Sequence, residues 1–398
     1  MRCWISVSIL VFAVVPANGI GQDFLHRGIA KPAVTVSSAN LQRAVTRSSD
    51  YLVRFCESNG HFVYKVDANT GDTSRSYNII RHEGAVYALA AESSSHGGSA
   101  SVDAITRADK FLIVRYVGPG PVAGMQVIWA KPMPDRSIAN LGATGLGLVA
   151  LIALDRVRPG AVPVDQLQAL GRFGLFLQRP DGSFADKYRS TTGPDQEFES
   201  RYYPGEMALG FLSLYEVDHS KVWLEAAEEA LTYLARASAN EAAAPPDHWA
   251  MIATAKLFEI CEKEYAAYAA PRKELIRYAM QVSETLLEDQ QQDPTSNPKL
   301  FGSFGASGRT TPTATRMEGL LAVLEFLPPG ELRTRIERAV KLGINFLVRA
   351  QIVEGPYAGG FPRSVVNSEP HASEIRIDYV QHALCAFLRY QQLFGSRV

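Results

Sequence analysis

Two kinds of helical pattern alternate along the chain. In the first, apolar residues recur on one face and charged residues fill the other, over Asn40–Cys56, Val102–Val117, Asp165–Gln178, Lys221–Arg236, Arg272–Glu288 and Thr334–Gln351. Phe173, Phe176 and Leu177 trace the stripe in one segment, and Leu231, Tyr233 and Leu234 in another. Helices of this kind line an outer surface. The second kind is apolar and small-residue-rich almost all round: Glu83–Ala91, Ala143–Leu154, Glu206–Tyr215, Trp249–Ile260, Glu318–Phe326 and Asp378–Tyr390. Such helices have to be enclosed by others. Counted from Glu83, their starts are separated by 60, 63, 43, 69 and 60 residues, one helical hairpin with its connections each time.

The link from an amphipathic helix to the following apolar one also recurs. Asn59-Gly60-His61-Phe62, Asp181-Gly182-Ser183-Phe184, Gly302-Ser303-Phe304 and Gly359-Gly360-Phe361 each set glycine where a tight turn needs positive φ, then an aromatic to pin the returning chain. With no run of alternating strands, six amphipathic helices around six apolar ones predict an all-α fold, an (α/α)6 toroid; an open solenoid of helical hairpins is the competing arrangement. The uncharged run Ile138–Leu154, interrupted by Gly142, Gly145 and Gly147, reads as a buried helix of that ring and not as a membrane span.

Charge narrows the partners. The 398 residues carry 40 Lys+Arg against 41 Asp+Glu, so no global field favours nucleic acid or an anionic membrane. Met1-Arg2, the apolar run Cys3–Val15, Pro16 and the small residues Ala17-Asn18-Gly19 have the form of a secretory signal peptide over 1–19, which predicts a secreted or periplasmic protein without a membrane span after cleavage. Residues 20–39 then form an N-terminal extension and 40–398 a single toroid domain. Cys56, Cys261 and Cys385 have no metal or redox spacing, and neither a metal nor another cofactor is expected.

The alternating helices and glycine-aromatic turns resemble the six-hairpin glycosidase superfamily, together with the toroids of uronan lyases and glucuronyl C5-epimerases. Gln178-Arg179-Pro180-Asp181-Gly182-Ser183-Phe184 is also similar to the repeats of terpenoid-cyclase toroids. The resemblance covers nearly the whole chain after the leader, but it is architectural. No family's catalytic motif is present, and the acidic Asp-Asp-x-x-Asp motif of prenyl-diphosphate enzymes is absent. The resemblance implies inner helices whose N-termini face one cavity.

Those N-termini carry the candidate chemistry. Glu206, Glu318 and Asp378 are candidate acids, although carboxylates also sit well at helix starts, and Glu83 and Asp247 fit the same description. Arg81, Arg201, Arg316 and Arg376 run against the helix dipole, so they are either an ion-pair lattice or a clamp for an anionic substrate. Asn78, Tyr202, Trp249 and Tyr379 are candidate sugar-binding groups; Tyr203, His82 and His248 are candidate proton carriers, and His382 lies one turn after Asp378. The predicted function is an exported carbohydrate-active enzyme on a glycan, uronate-containing or otherwise anionic, working by hydrolysis, elimination or epimerisation. The alternatives are a non-catalytic glycan- or peptide-binding toroid and a terpenoid-cyclase-like protein. Glu92–Ser101 and Thr191–Ser200 are predicted to rim the opening.

Overall fold

The computed structural model describes residues 36–241, 243–264 and 272–395; the signal-peptide segment and residues 20–35 of the extension lie outside them. Among the described residues there are twelve α-helices. The outer set is α1 (Ser38–Arg54), α3 (Ser99–Arg115), α5 (Val164–Leu177), α7 (Lys221–Ala237), α9 (Arg272–Glu288) and α11 (Glu331–Ala350). The inner set is α2 (Ile79–His96), α4 (Leu141–Val157), α6 (Tyr203–Asp218), α8 (His248–Glu264), α10 (Thr310–Phe326) and α12 (Ile377–Phe394).

Each inner helix packs against the next, and α12 packs against α2, so the inner ring closes; α11 likewise reaches α1. The fold is the (α/α)6 toroid that the periodicity predicts, not an open solenoid. Inner-helix packing is closest between α4 and α6. A Cβ on Gly145 would lie 2.5 Å from the Glu206 carbonyl oxygen, and one on Gly210 would lie 2.8 Å from that of Gly145. The predicted all-round burial of α4 follows, from Leu141 through Ile152.

The recurrent turns brace the outer wall. Gly60, Gly182, Gly302 and Gly359 have φ of 86°, 90°, 90° and 94°, and each lies against a backbone carbonyl of the next outer helix: Arg107, Glu229, Leu342 and Arg47. A glutamine within two residues of the end of the outer helix that leads into three of these turns does the same work with its side chain. Gln178, Gln290 and Gln351 donate from Nε2 to the carbonyls of Ala226, Ala339 and Ala44 at 2.9, 2.8 and 3.0 Å. These contacts tie α1 to α3, α5 to α7 and α9 to α11, and Gly359 and Gln351 tie the last outer helix, α11, to the first, α1.

Among the described residues seven short strands, absent from the sequence expectation, lie in the outer-to-inner connections. β1 (Lys65–Asp67) pairs with β7 (Glu374–Arg376), β2 (Val117–Pro119) with β3 (Gln126–Ile128), and β4 (Ile138–Asn140), β5 (Lys187–Arg189) and β6 (Gly193–Pro194) form the third sheet. At two or three residues each they are too short to leave an alternating pattern. All stand on the face toward which the inner N-termini point. Among the described residues Cys56, Cys261 and Cys385 form no disulfide. Among the described residues no helix is long and apolar enough to cross a membrane.

Candidate active site

A cavity of about 590 Å³ opens between the inner-helix N-termini. Two histidines meet at its floor. His382, on the second turn of α12, and His248, the first residue of α8, both line it, with ring centroids 5.3 Å apart. Glu318, buried on α10, joins them: its Oε2 is 2.6 Å from His382 Nδ1 and 4.0 Å from His248 Nε2. A carboxylate on Nδ1 holds the imidazole proton there and leaves Nε2 as the basic nitrogen. Gln381 Nε2 also lies 3.2 Å from the same Nδ1, but the shorter contact to an acid dominates. Burial holds His248 well below the usual imidazole range, so it is neutral, and its Nε2 is buried without a partner.

His248, Glu318 and His382 also form the one group among the described residues that could gather around a metal ion, with ligand atoms within 4.8 Å of one another. The 2.6 Å contact is a hydrogen-bond distance. Two ligands on one tetrahedral zinc sit about 3.3 Å apart for bonds of about 2.0–2.1 Å. An ion would have to break the His382–Glu318 bond, so the geometry shown is that of a proton-sharing pair.

The walls are acidic on one side and cationic on the other. Glu206, in the first turn of α6, lines the cavity, and burial with Asp247 and Asp186 nearby pushes its carboxyl up to about 8. Opposite, Arg81 and Arg376 share Asp378. Arg81 Nε donates at 3.1 Å, and Arg376 donates from Nε at 2.5 Å and Nη2 at 2.8 Å. Arg376 caps α12 from an extended strand, which lets it reach the residue two positions on. Arg316 reaches Asp289 at 3.4 Å, and burial draws its guanidinium below the usual range. Arg309 caps α10 and lines the cavity with its Nε unpartnered. Four guanidiniums therefore face one lining aspartate and a glutamic acid that burial keeps protonated at neutral pH.

The predicted residues divide accordingly. Arg81, Arg316, Arg376, Asn78, Tyr202, Tyr203, Glu206, His248, Trp249 and Asp378 line the cavity, and Glu318 meets it through His382. Asn78 also caps α2, accepting from the amides of Ile80 and Arg81. Three expectations are corrected. His82 is buried away from the cavity, bonded to Tyr77 Oη at 2.7 Å and the Ala108 carbonyl at 3.0 Å, and burial lowers it to about 3. Tyr379 is buried with its hydroxyl on Glu374, so it offers no face to a sugar. Arg201 stands exposed ahead of α6 and is not among the lining residues.

The rim prediction is half right in place. Thr191–Ser200 precedes the N-terminus of α6, on the cavity face, whereas Glu92–Ser101 is largely helix at the other end of the ring, because α2 runs on to His96 and α3 starts at Ser99. His96 and Glu318 line a second cavity of about 840 Å³ that enters from that opposite face. Arg309 and Gln381 were not anticipated. α10 starts at Thr310, eight residues before the apolar run that had marked it, and Thr311-Pro312 just after Arg309 was the available start signal.

The sequence matches no family model and no curated protein. Its fold does match solved structures along nearly their whole length, and what they share with this chain is the (α/α)6 toroid fold. A cellobiose 2-epimerase from Bacillus thermoamylovorans B4167 superimposes with TM-score 0.65 at 12% identity, covering 89% of this chain and 98% of that one. A sugar epimerase from a ruminal bacterium gives 0.63 at 11%, covering 89% and 98%. A GH76 α-1,6-mannanase from Salegentibacter sp. HEL1_6 gives 0.59 at 11%, covering 89% and 99%.

Proposed function

We propose that this protein is a carbohydrate-active enzyme that moves a proton to and from a sugar carbon next to a carbonyl group, as an epimerase or an aldose–ketose isomerase. The observation that carries this reading is the His382–Glu318 pair beside the neutral His248 at the cavity floor. In it, His382 Nε2 takes the proton from carbon, Glu318 stabilises the imidazolium so formed, and His248 bonds or relays at the neighbouring oxygen. The epimerases and the D-mannose isomerase among the structural neighbours support the same class of chemistry.

Hydrolysis fits less well because it needs a free carboxylate besides an acid. Asp378 is committed to two arginines and Glu318 to His382. The arginine excess supports a substrate that bears negative charge, such as a uronate. The leader-like N-terminus supports export, which cleavage near Gly19 in the secreted protein would bear out.

The test is incubation of the full chain in D2O with mannose, cellobiose and glucuronate- or galacturonate-containing oligosaccharides, followed by NMR. The expected result is solvent deuterium on a ring carbon or a changed configuration, lost in His382→Asn. Released reducing ends or a new conjugated double bond without configurational change, or binding with no turnover, would overturn it.

A further inference from the structure

We infer that Glu206 works as a neutral carboxylic acid, donating a hydrogen bond to the substrate oxygen on which negative charge develops as the proton leaves carbon. This rests on the proton-transfer reading above and assigns the electrophile that the histidines leave unassigned. When His382 takes the proton, the C–H electron pair moves into the adjacent C–C bond and the carbonyl pair onto oxygen. An enzyme must meet that oxygen with a donor already in place.

The geometry singles out Glu206. It lies one turn of α6 above Tyr203 on the cavity wall, and its Oε2 is buried with no partner. The facing position on α4 is Gly142, where a Cβ would stand 2.0 Å from that oxygen, so the wall is cut away to hold the carboxyl. The ionisable groups acting on it from neighbouring elements are acids: Asp247 ahead of α8, Asp186 ahead of β5 and Glu83 on α2. No lysine or arginine pairs with it among the described residues, whereas Asp378 across the cavity has two. Burial without a cation favours the protonated form, and a protonated carboxyl needs an acceptor. With Oε2 seated against Gly142, the other carboxyl oxygen is the one left to donate to a substrate oxygen in the cavity that Glu206 lines.

Two measurements test this. Without any substrate, infrared difference spectra in D2O between the wild type and Glu206→Gln should show a protonated-carboxyl band at pH 7 that fades around pH 8. With whichever of mannose, cellobiose or galacturonate undergoes exchange, Glu206→Gln, still a neutral donor, should keep turnover within about tenfold, and Glu206→Ala should lose about 10²–10³-fold. The wild-type rate should fall above pH 8 and the Gln variant should lack that limb. An ionised Glu206 at pH 7, or Gln and Ala variants equal to each other, would overturn the inference. If Glu206→Ala fails to fold, the infrared band and the pH limb in Glu206→Gln still decide it. Loss of exchange in His382→Asn alongside an unaffected Glu206→Ala removes this inference only; an unaffected His382→Asn removes the proton-transfer reading itself.

Discussion

Four of the six hairpins contain a turn that braces the outer wall and, between 8 and 21 residues later, a helix start that faces the cavity. The two regions obey opposite rules. At the brace, Gly60, Gly182, Gly302 and Gly359 repeat the same backbone angle and the same contact with the next outer helix. At the cavity the inner helices contribute different sets of groups: α2 gives Arg81, α6 gives Glu206, α8 gives His248, α10 gives Arg316 with Arg309 just ahead of it, and α12 gives Asp378 and His382. Closure of a ring asks the same geometry of each unit, whereas a site asks for different groups at one point. The belt therefore carries stability and the mouth carries chemistry, and substitutions should separate the two.

The largest effect should come at the floor. His382→Asn keeps the shape but removes the basic Nε2, and turnover of the responding sugar should fall by about 10²–10⁴-fold with little change in melting temperature. The converse substitution is Gly359→Ala. Its φ of 94° disfavours any side chain, and the added Cβ would meet the Arg47 carbonyl oxygen at 1.9 Å. A loss of about 3 kcal/mol or more is expected in a denaturant titration, large against a total of about 5–15. Turnover per folded molecule should be kept. If His382→Asn destabilised as much as Gly359→Ala, the division between belt and mouth would fail.

A smaller effect links the regions through pH. The ordinary carboxyl value for Glu206 is 4.5 and the folded value is about 8. Between these the unfolded chain is ionised while the folded protein keeps its proton, so stability falls as pH rises through that window and then levels. Asp247, pushed up to about 7, and Asp186, to about 6, add to the same slope. Glu206→Gln removes its own share. The variant should match the wild type near pH 4 and exceed it at pH 8 by an amount on the order of a few kcal/mol. Equal slopes would mean that Glu206 is not protonated in the folded state.

The same contrast explains what the sequence disclosed. Periodic features were legible because they recur: the helix alternation, the ring and the positive-φ glycines were all readable from residue spacing. The site was legible only as a neighbourhood. His82 directly precedes Glu83 at what reads as a helix start, but the helix begins earlier, at Ile79, and turns the ring toward Ala108 and Tyr77. Arg309 was hidden because the apolar run that marks α10 begins two turns after the helix does. Pairing across the ring, such as Arg81 with Asp378 at 297 positions' distance, leaves no local signal at all.

The smallest predicted effect tests whether the belt is uniform. Gln178, Gln290 and Gln351 make equivalent bonds to the next outer helix, yet their settings differ. Gln178 is half-buried with one such bond, Gln290 adds a weaker one to the Gly302 carbonyl, and Gln351 also reaches Ser48 Oγ at 2.9 Å and the Gly359 carbonyl at 3.5 Å. Only Gln351 joins helices that no short connection holds together, since its partner Ala44 is 307 positions away. Replacement by alanine should cost about 1–3 kcal/mol for each buried glutamine, with Gln351 highest and Gln178 lowest. The sharper readout is hydrogen exchange. Gln351→Ala should raise exchange along α1 and α11 selectively, because a ring loosened where its last hairpin meets its first frays from both ends, while Gln178→Ala should leave exchange in α5 and α7 nearly unchanged. Equal exchange in the two variants would show that packing of α12 on α1 and α2, not the glutamine brace, closes the ring.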